Sequence, residues 1–380
     1  MLKSRKIIHA PAVLAAFVDV VKRQLPLGFE GTRITPEVAL QVLGYASVNR
    51  LTIESSCTQL AEAPSGNRLR EVLMAALPAP PELQRQLNTV LRSQLPKCLF
   101  TAKRDYEIAL DITQIPYHGQ PQDDAAEVMR GAAKSGTTHF HGYVTVSVVH
   151  TRRRYVLAVV LAHLHDTMAE LVRRGLRLVK RLKIRIRRVL LDAGFSAVAV
   201  FRILDRRGLS YIVPLQARGK VRQLFHGLSS YATPYVMHSL THGNYVLHIL
   251  VVRRYTDGRF KRAGARWFAY AVGGWPAHLP VRVVFEVYRH RFGIESSYRQ
   301  MNQVRARTAS RSPSLRLLLV GLALILVNLY VSLRSMLTNE PMSSCAWLSF
   351  RRITALMTHA IEGLFGCAPV FQRQALTLLS

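Results

Sequence analysis

Acidic residues are scarce in this chain. Asp and Glu total 22 against 52 Lys and Arg, a formal charge of +30 over 380 residues. That imbalance drives self-repulsion in the compact state and points to a polyanionic partner, nucleic acid first and an anionic membrane surface second. Arginine far outnumbers lysine, which suits phosphate recognition. Cysteine is scarce too. Cys57, Cys98, Cys345 and Cys367 stand far apart without a CxxC pair, so there is no zinc-ribbon signal, and scattered thiols fit a reducing cytoplasm. His139 with His141, and His163 with His165, share strand faces, but no further ligand at suitable spacing makes them a zinc site. Walker, GxSxG and GxGxxG motifs are missing from any suitable context, so neither ATP nor a dinucleotide is indicated.

Long apolar runs are also few. Leu317 to Leu333 is a run of 17 residues between Arg316 and Arg334, at the lower limit for a membrane span. Gly321, Asn328 and Ser332 interrupt it and no second apolar segment accompanies it, so a buried core helix is expected and no membrane partner. Ile7 to Val21 follows Lys3, Arg5 and Lys6 as a signal peptide would, but His9 and Asp19 break it, which favours an amphipathic first helix.

What is present begins with helices. Residues 1–95 read as helical, with Thr35-Pro36-Glu37 as a helix start. Two short helices flank the turn Pro64-Ser65-Gly66, and the second carries Arg68 and Arg70. A DNA-end-binding helix-turn-helix and a purely structural bundle both give this pattern. Leu77-Pro78-Ala79-Pro80-Pro81 marks a boundary. From Asp105 the period becomes two: Tyr106, Ile108, Leu110 and Ile112 alternate with more polar positions, a strand running to about Pro116. Residues 118–137 read as a loop, Tyr143–His150 and Tyr155–His163 as strands, Met168–Lys183 as a basic amphipathic helix, and Val189–Asp192 as a short buried strand ending in an acid. A helix to Arg207 and a strand to Leu215 follow. This order matches an α/β, RNase H-like core: an antiparallel meander, then alternating helices and parallel strands. A mostly β insertion occupies 217–278, with Asp257-Gly258 as a hairpin turn. The expected organisation is therefore a helical, candidate DNA-end-binding domain (1–95), a first core segment (104–216), the β insertion (217–278), a second core segment with a catalytic helix (279–336) and a helical C-terminal region (337–380).

The stretch Val283 to Arg307 has no proline and one glycine, and reads as a single helix. Tyr288, Arg291, Glu295 and Asn302 are spaced by three, four and seven residues, which sets them in one stripe of such a helix. Glu295 is a lone carboxylate among arginines, an ion-pair partner or a metal-binding acid. Two further acids join the second reading: Asp111 on the first core strand and Asp192 at the end of the fourth, with separations 192 − 111 = 81 and 295 − 192 = 103. Neighbouring carboxylates repel unless cations lie between them, and two Mg²⁺ or Mn²⁺ ions would relieve that repulsion and serve phosphodiester chemistry.

The segments ALDITQIPYHG, VLLDAGF and YRHRFGIESSYRQMN resemble the three catalytic blocks of a DDE transposase. The third resembles the insertion-sequence-4 type signature: tyrosine, two residues, arginine, three residues, glutamate, six residues, lysine. Tyr288, Arg291 and Glu295 match it, and Asn302 stands where lysine is expected. The resemblance covers about residues 105–335. It implies Asp111, Asp192 and Glu295 as metal ligands, Tyr288 and Arg291 at the DNA near the cut, and cut-and-paste transposition of the protein's own insertion sequence. Arg299 and Arg305, each three residues from Asn302, are candidates to supply the missing cation. Trp267 and Trp275 are candidates for stacking on an unpaired base or for core packing. The partners so implied are double-stranded DNA, as element ends and target, and a second copy on that DNA. The implied location is the nucleoid of a prokaryotic cytoplasm. A decayed DNA-binding derivative of such an element and a membrane-associated basic protein are the alternatives.

Overall fold

A computed structural model of the chain describes residues 8–29, 34–101, 105–119, 127–149, 154–256, 264–274, 280–337 and 348–368; the side chains of 101, 255–256 and 292–295 are not among those described. Arg152, Arg153, Asp257-Gly258, Trp275 and the Glu295 side chain thus lie outside the described residues. In chain order the elements are α1 (Ala10–Lys22), α2 (Pro36–Asn49), α3 (Ile53–Gln59), α4 (Gly66–Ala76), α5 (Pro80–Ser93), α6 (Cys98–Thr101), β1 (Tyr106–Pro116), β2 (Val128–Lys134), β3 (Thr137–Val149), β4 (Val156–Leu161), α7 (Met168–Arg181), β5 (Ile186–Leu190), α8 (Val198–Arg206), β6 (Tyr211–Pro214), α9 (Gly219–Gln223), β7 (Tyr231–Met237), β8 (Tyr245–Thr256), β9 (Gly264–Gly273), α10 (Val281–Arg289), α11 (Phe292–Gln303), α12 (Pro313–Leu337) and α13 (Phe350–Phe365). They fall into two units: one of residues 97–117 and 123–296, the other of 1–96, 118–122 and 297–380.

The first unit is built on a mixed sheet of order β2-β3-β1-β5-β6-β9-β8-β7, with β4 also paired to β3. β1 runs antiparallel to β3 and parallel to β5. It is central, so Ile108, Ala109 and Leu110 are all fully buried although they alternate between faces. α7 opens with a capping box: Thr167 accepts from the Glu170 amide, and Glu170 reaches back to the Thr167 amide. Gly175 lets this helix lie close on the sheet, since a Cβ there would meet Leu110 Cδ2 at 2.8 Å and Val146 Cγ2 at 3.1 Å. Val128–Lys134, expected as loop, is strand β2. Only Val128 and Met129 are buried in it, so this edge strand has no alternation to read. The strands of the 217–278 segment join the core sheet, because β9 pairs antiparallel with β6 through Tyr211↔Gly273 to Pro214↔Tyr270.

The second unit is helical. Thr35 caps α2 by accepting from the Val38 amide at 3.2 Å, and Ser65 caps α4 by accepting from Arg68 at 3.3 Å. α12 is long and apolar enough to cross a membrane, and most of it is buried among the other helices of this unit. Gly321 admits α5 closely: a Cβ there would fall 2.6 Å from Leu87. Gln94 Nε2 also donates to the Ile325 carbonyl at 3.0 Å. α13 joins the first helices, with Tyr45 donating to Glu362 at 3.0 Å.

Val283–Arg307 is not one helix. It divides into α10 and α11 at His290-Arg291. The Arg291 amide donates to the Tyr288 carbonyl at 2.9 Å, a three-residue closure that tightens the last turn of α10. The single stripe expected of a continuous helix is broken there.

Candidate active site

β1 and β5 hold the site through their register. Ile108 lies opposite Val189 and Ala109 opposite Leu190, an offset of 190 − 109 = 81. Asp111 and Asp192 have the same offset, so the two acids stand level, Asp111 within β1 and Asp192 two residues past the end of β5. Asp111 is 8% exposed, and its Oδ1 accepts from the Ile112 amide at 2.9 Å. Asp192 begins the short 3₁₀ turn Ala193–Phe195, where its Oδ1 accepts from the Ala193 amide at 2.7 Å. Its side chain is 47% exposed, so the two acids sit in different environments.

Arg291 lies between them. Its Nη2 is 3.0 Å from Asp111 Oδ2 and 3.8 Å from Asp192 Oδ1, with the arginine side chain 6% exposed. Tyr288 is buried and donates to the Leu191 carbonyl at 3.0 Å, one residue before Asp192. Burial holds its phenol well above the usual tyrosine range, so it remains a donor. Four residues back along both strands is a second ionic contact, Arg188 to Glu107, with Arg188 2% exposed. Burial lowers the Arg188 pKa and the Glu107 carboxylate opposes that shift. His290 Nδ1 lies 3.6 Å from the other Glu107 oxygen. Two successive residues of the α10–α11 junction thus reach two acids of β1.

The donor chemistry fits a divalent cation. Two carboxylates of hard oxygen already share one positive group, the Arg291 guanidinium, which stands in for an ion. Among the described residues no third His, Cys, Asp or Glu joins them. Glu295 is in α11, four residues beyond Arg291.

A family model described as a transposase DDE domain matches residues 102–329, well over half the chain. The chain belongs to the DDE transposases. As such it is an enzyme of DNA strand cleavage and transfer, of a family that works with divalent metal ions. The transposase is similar in structure to the piggyBac transposase in a synaptic complex with hairpin DNA, with TM-score 0.56 and 11% identity over 100% of this chain and 86% of that one. That likeness shows a shared fold, the mixed α/β, RNase H-like architecture. The Drosophila P element transposase in a strand transfer complex aligns with TM-score 0.22 and 13% identity over 52% of this chain and 42% of that one. No curated protein matches.

The remaining candidate residues of the transposase are spread over both units. Tyr288 and Arg291, expected at the DNA, are both buried. Trp267, half-buried on β9, stacks on Phe225 with ring centroids 6.2 Å apart, and the Arg253 guanidinium carbon is 5.8 Å from its ring centre. In the helical unit Arg299 and Asn302 are exposed and Arg305 is half-buried. Arg68 and Arg70 are exposed on α4, facing Glu71 at 3.4 Å and Glu54 at 3.5 Å. Sequence reasoning passed over Glu107, Arg188 and His290. The signal was there: Glu107 and Arg188 share the 81-residue offset of the two aspartates.

Proposed function

We propose that this transposase is of the insertion-sequence-4 type and moves its own element by cut-and-paste transposition. The observation that carries the reading is the pair Asp111, on β1, and Asp192, just past the parallel neighbour β5, sharing one cationic group. Asp111, Asp192 and Glu295 would hold two divalent ions, Mg²⁺ or Mn²⁺. Bound there, the ions supply activation of a water or 3′-hydroxyl and stabilisation of the departing oxygen at a phosphodiester. The chain's own residues fix the acids: backbone amides hold one oxygen of each aspartate, and Tyr288 ties α10 to Leu191, beside Asp192.

The substrate in this reading is double-stranded DNA, as element ends and target. The charge of +30 supports it. Arg68, Arg70, Arg299, Asn302, Arg305 and Trp267 are the candidate DNA-facing groups, on a homodimer assembled on DNA at the nucleoid. Asn302 offers a neutral hydrogen bond where the type carries lysine, and Arg299 and Arg305 supply the cation. The test is Mg²⁺- or Mn²⁺-dependent cleavage of a duplex bearing the inverted repeats that flank the gene. The unaltered protein cleaves it. Asp111→Ala, Asp192→Ala and Glu295→Ala lose cleavage and retain end binding. Normal cleavage by Asp192→Ala would overturn the assignment.

A further inference from the structure

Two carboxylates at one point of a sheet are unstable together without a counter-ion. Asp111 and Asp192 have one inside the protein. Arg291 is charged at every working pH, and its planar fork can serve two acceptors at once. It is buried, as is Asp111, so their attraction is stronger than that of a surface pair. The guanidinium occupies the space between the two carboxylates that a shared ion would take, and two cations that close repel, so the guanidinium and the ion compete for the pair. The position of Arg291 in the chain also matters. It stands at the junction of two helices, outside the regular turns of both.

We propose that Arg291 is a built-in placeholder for the metal: it neutralises the Asp111–Asp192 pair in the metal-free enzyme, and ion binding must displace it. The inference rests on the reading of those two acids as metal ligands and adds a competitor to the site. Each ion that enters does so against a charge-assisted contact, so apparent metal affinity is lower than the acids alone would give. The guanidinium released has five donors suited to a phosphate, so displacement delivers a cation beside the loaded site.

The experiment is Mn²⁺ binding to the full chain without DNA, followed by calorimetry, with melting temperature measured in parallel. Charge-assisted hydrogen bonds are of a strength that makes Arg291→Gln bind Mn²⁺ roughly tenfold tighter or more than the unaltered protein. Its metal-free melting temperature falls, and Mn²⁺ raises it by more than in the parent. Arg291→Lys keeps the charge but not the fork, and gives a smaller tightening; it carries the test if the glutamine variant does not fold. A residue that only supports the site would, on removal, loosen Mn²⁺ binding. Equal or weaker binding by both variants, with binding lost in Asp111→Asn, overturns the placeholder and leaves the metal site standing. Unchanged Mn²⁺ binding in Asp111→Asn and Asp192→Asn overturns the metal site and the placeholder together.

Discussion

β1 and β5 carry two ionic rungs four residues apart, and the rungs differ in where their arginine comes from. In the lower rung Glu107 faces Arg188, and both are residues of the paired strands, locked in register. In the upper rung the acids are Asp111 on β1 and Asp192 in the turn that follows β5, and the arginine comes from a helix junction. The lower rung takes its arginine from the sheet itself, with His290 also 3.6 Å from Glu107. The upper rung is neutralised by a side chain that does not belong to the strand pair. One strand pair thus has a rung whose arginine is part of the sheet and a rung whose arginine comes from outside it.

The sharpest way to break this comparison is at the lower rung. Arg188→Met takes the buried strand partner from the half-buried Glu107 charge, and unfolding in urea should show a loss of about 3 kcal/mol. Mn²⁺ affinity of the folded protein should stay as it is, because no metal ligand is touched. A metal-binding defect with full stability would reverse the roles of the rungs. A smaller loss, about 1 kcal/mol, is expected for Tyr288→Phe, which removes the donor to the Leu191 carbonyl; thermal melting without metal reads it. Asp192→Asn should cost least in stability. Its side chain is half exposed and its Arg291 contact is long, so metal-free stability should move by no more than about 1 kcal/mol while cleavage is lost. A large loss on that substitution would make the upper rung structural as well.

Much of this was legible before any coordinates. The alternation of Tyr106 to Ile112, the apolar run to Asp192 and the 81-residue separation describe a parallel strand pair with two acids at one level. The α7 helix was legible because its buried residues follow helical spacing over a capping box. The break at His290-Arg291 was not. Helix formers run straight through it, and what ends α10 there accompanies contacts to Asp111 and Glu107, each more than 170 residues away in sequence. β2 escaped for the opposite reason, since a mostly exposed edge strand has no apolar pattern to show. The spacing of Tyr288, Arg291 and Glu295 carried the family signature, yet spacing says nothing of direction, and both Tyr288 and Arg291 are buried.

The joining of β9 to β6 has a consequence for how this protein avoids sticking to others. Without β9, β6 would end the sheet with Ile212 and Val213, both wholly apolar and fully buried, along an open row of amides and carbonyls. Such a margin is a template for a foreign strand. The segment that follows moves the open margin outward to β7, where no residue is buried, exposure alternates, and Pro234 has no amide to offer. What reads in sequence as an interruption of the core is, for the folded chain, protection against aggregation.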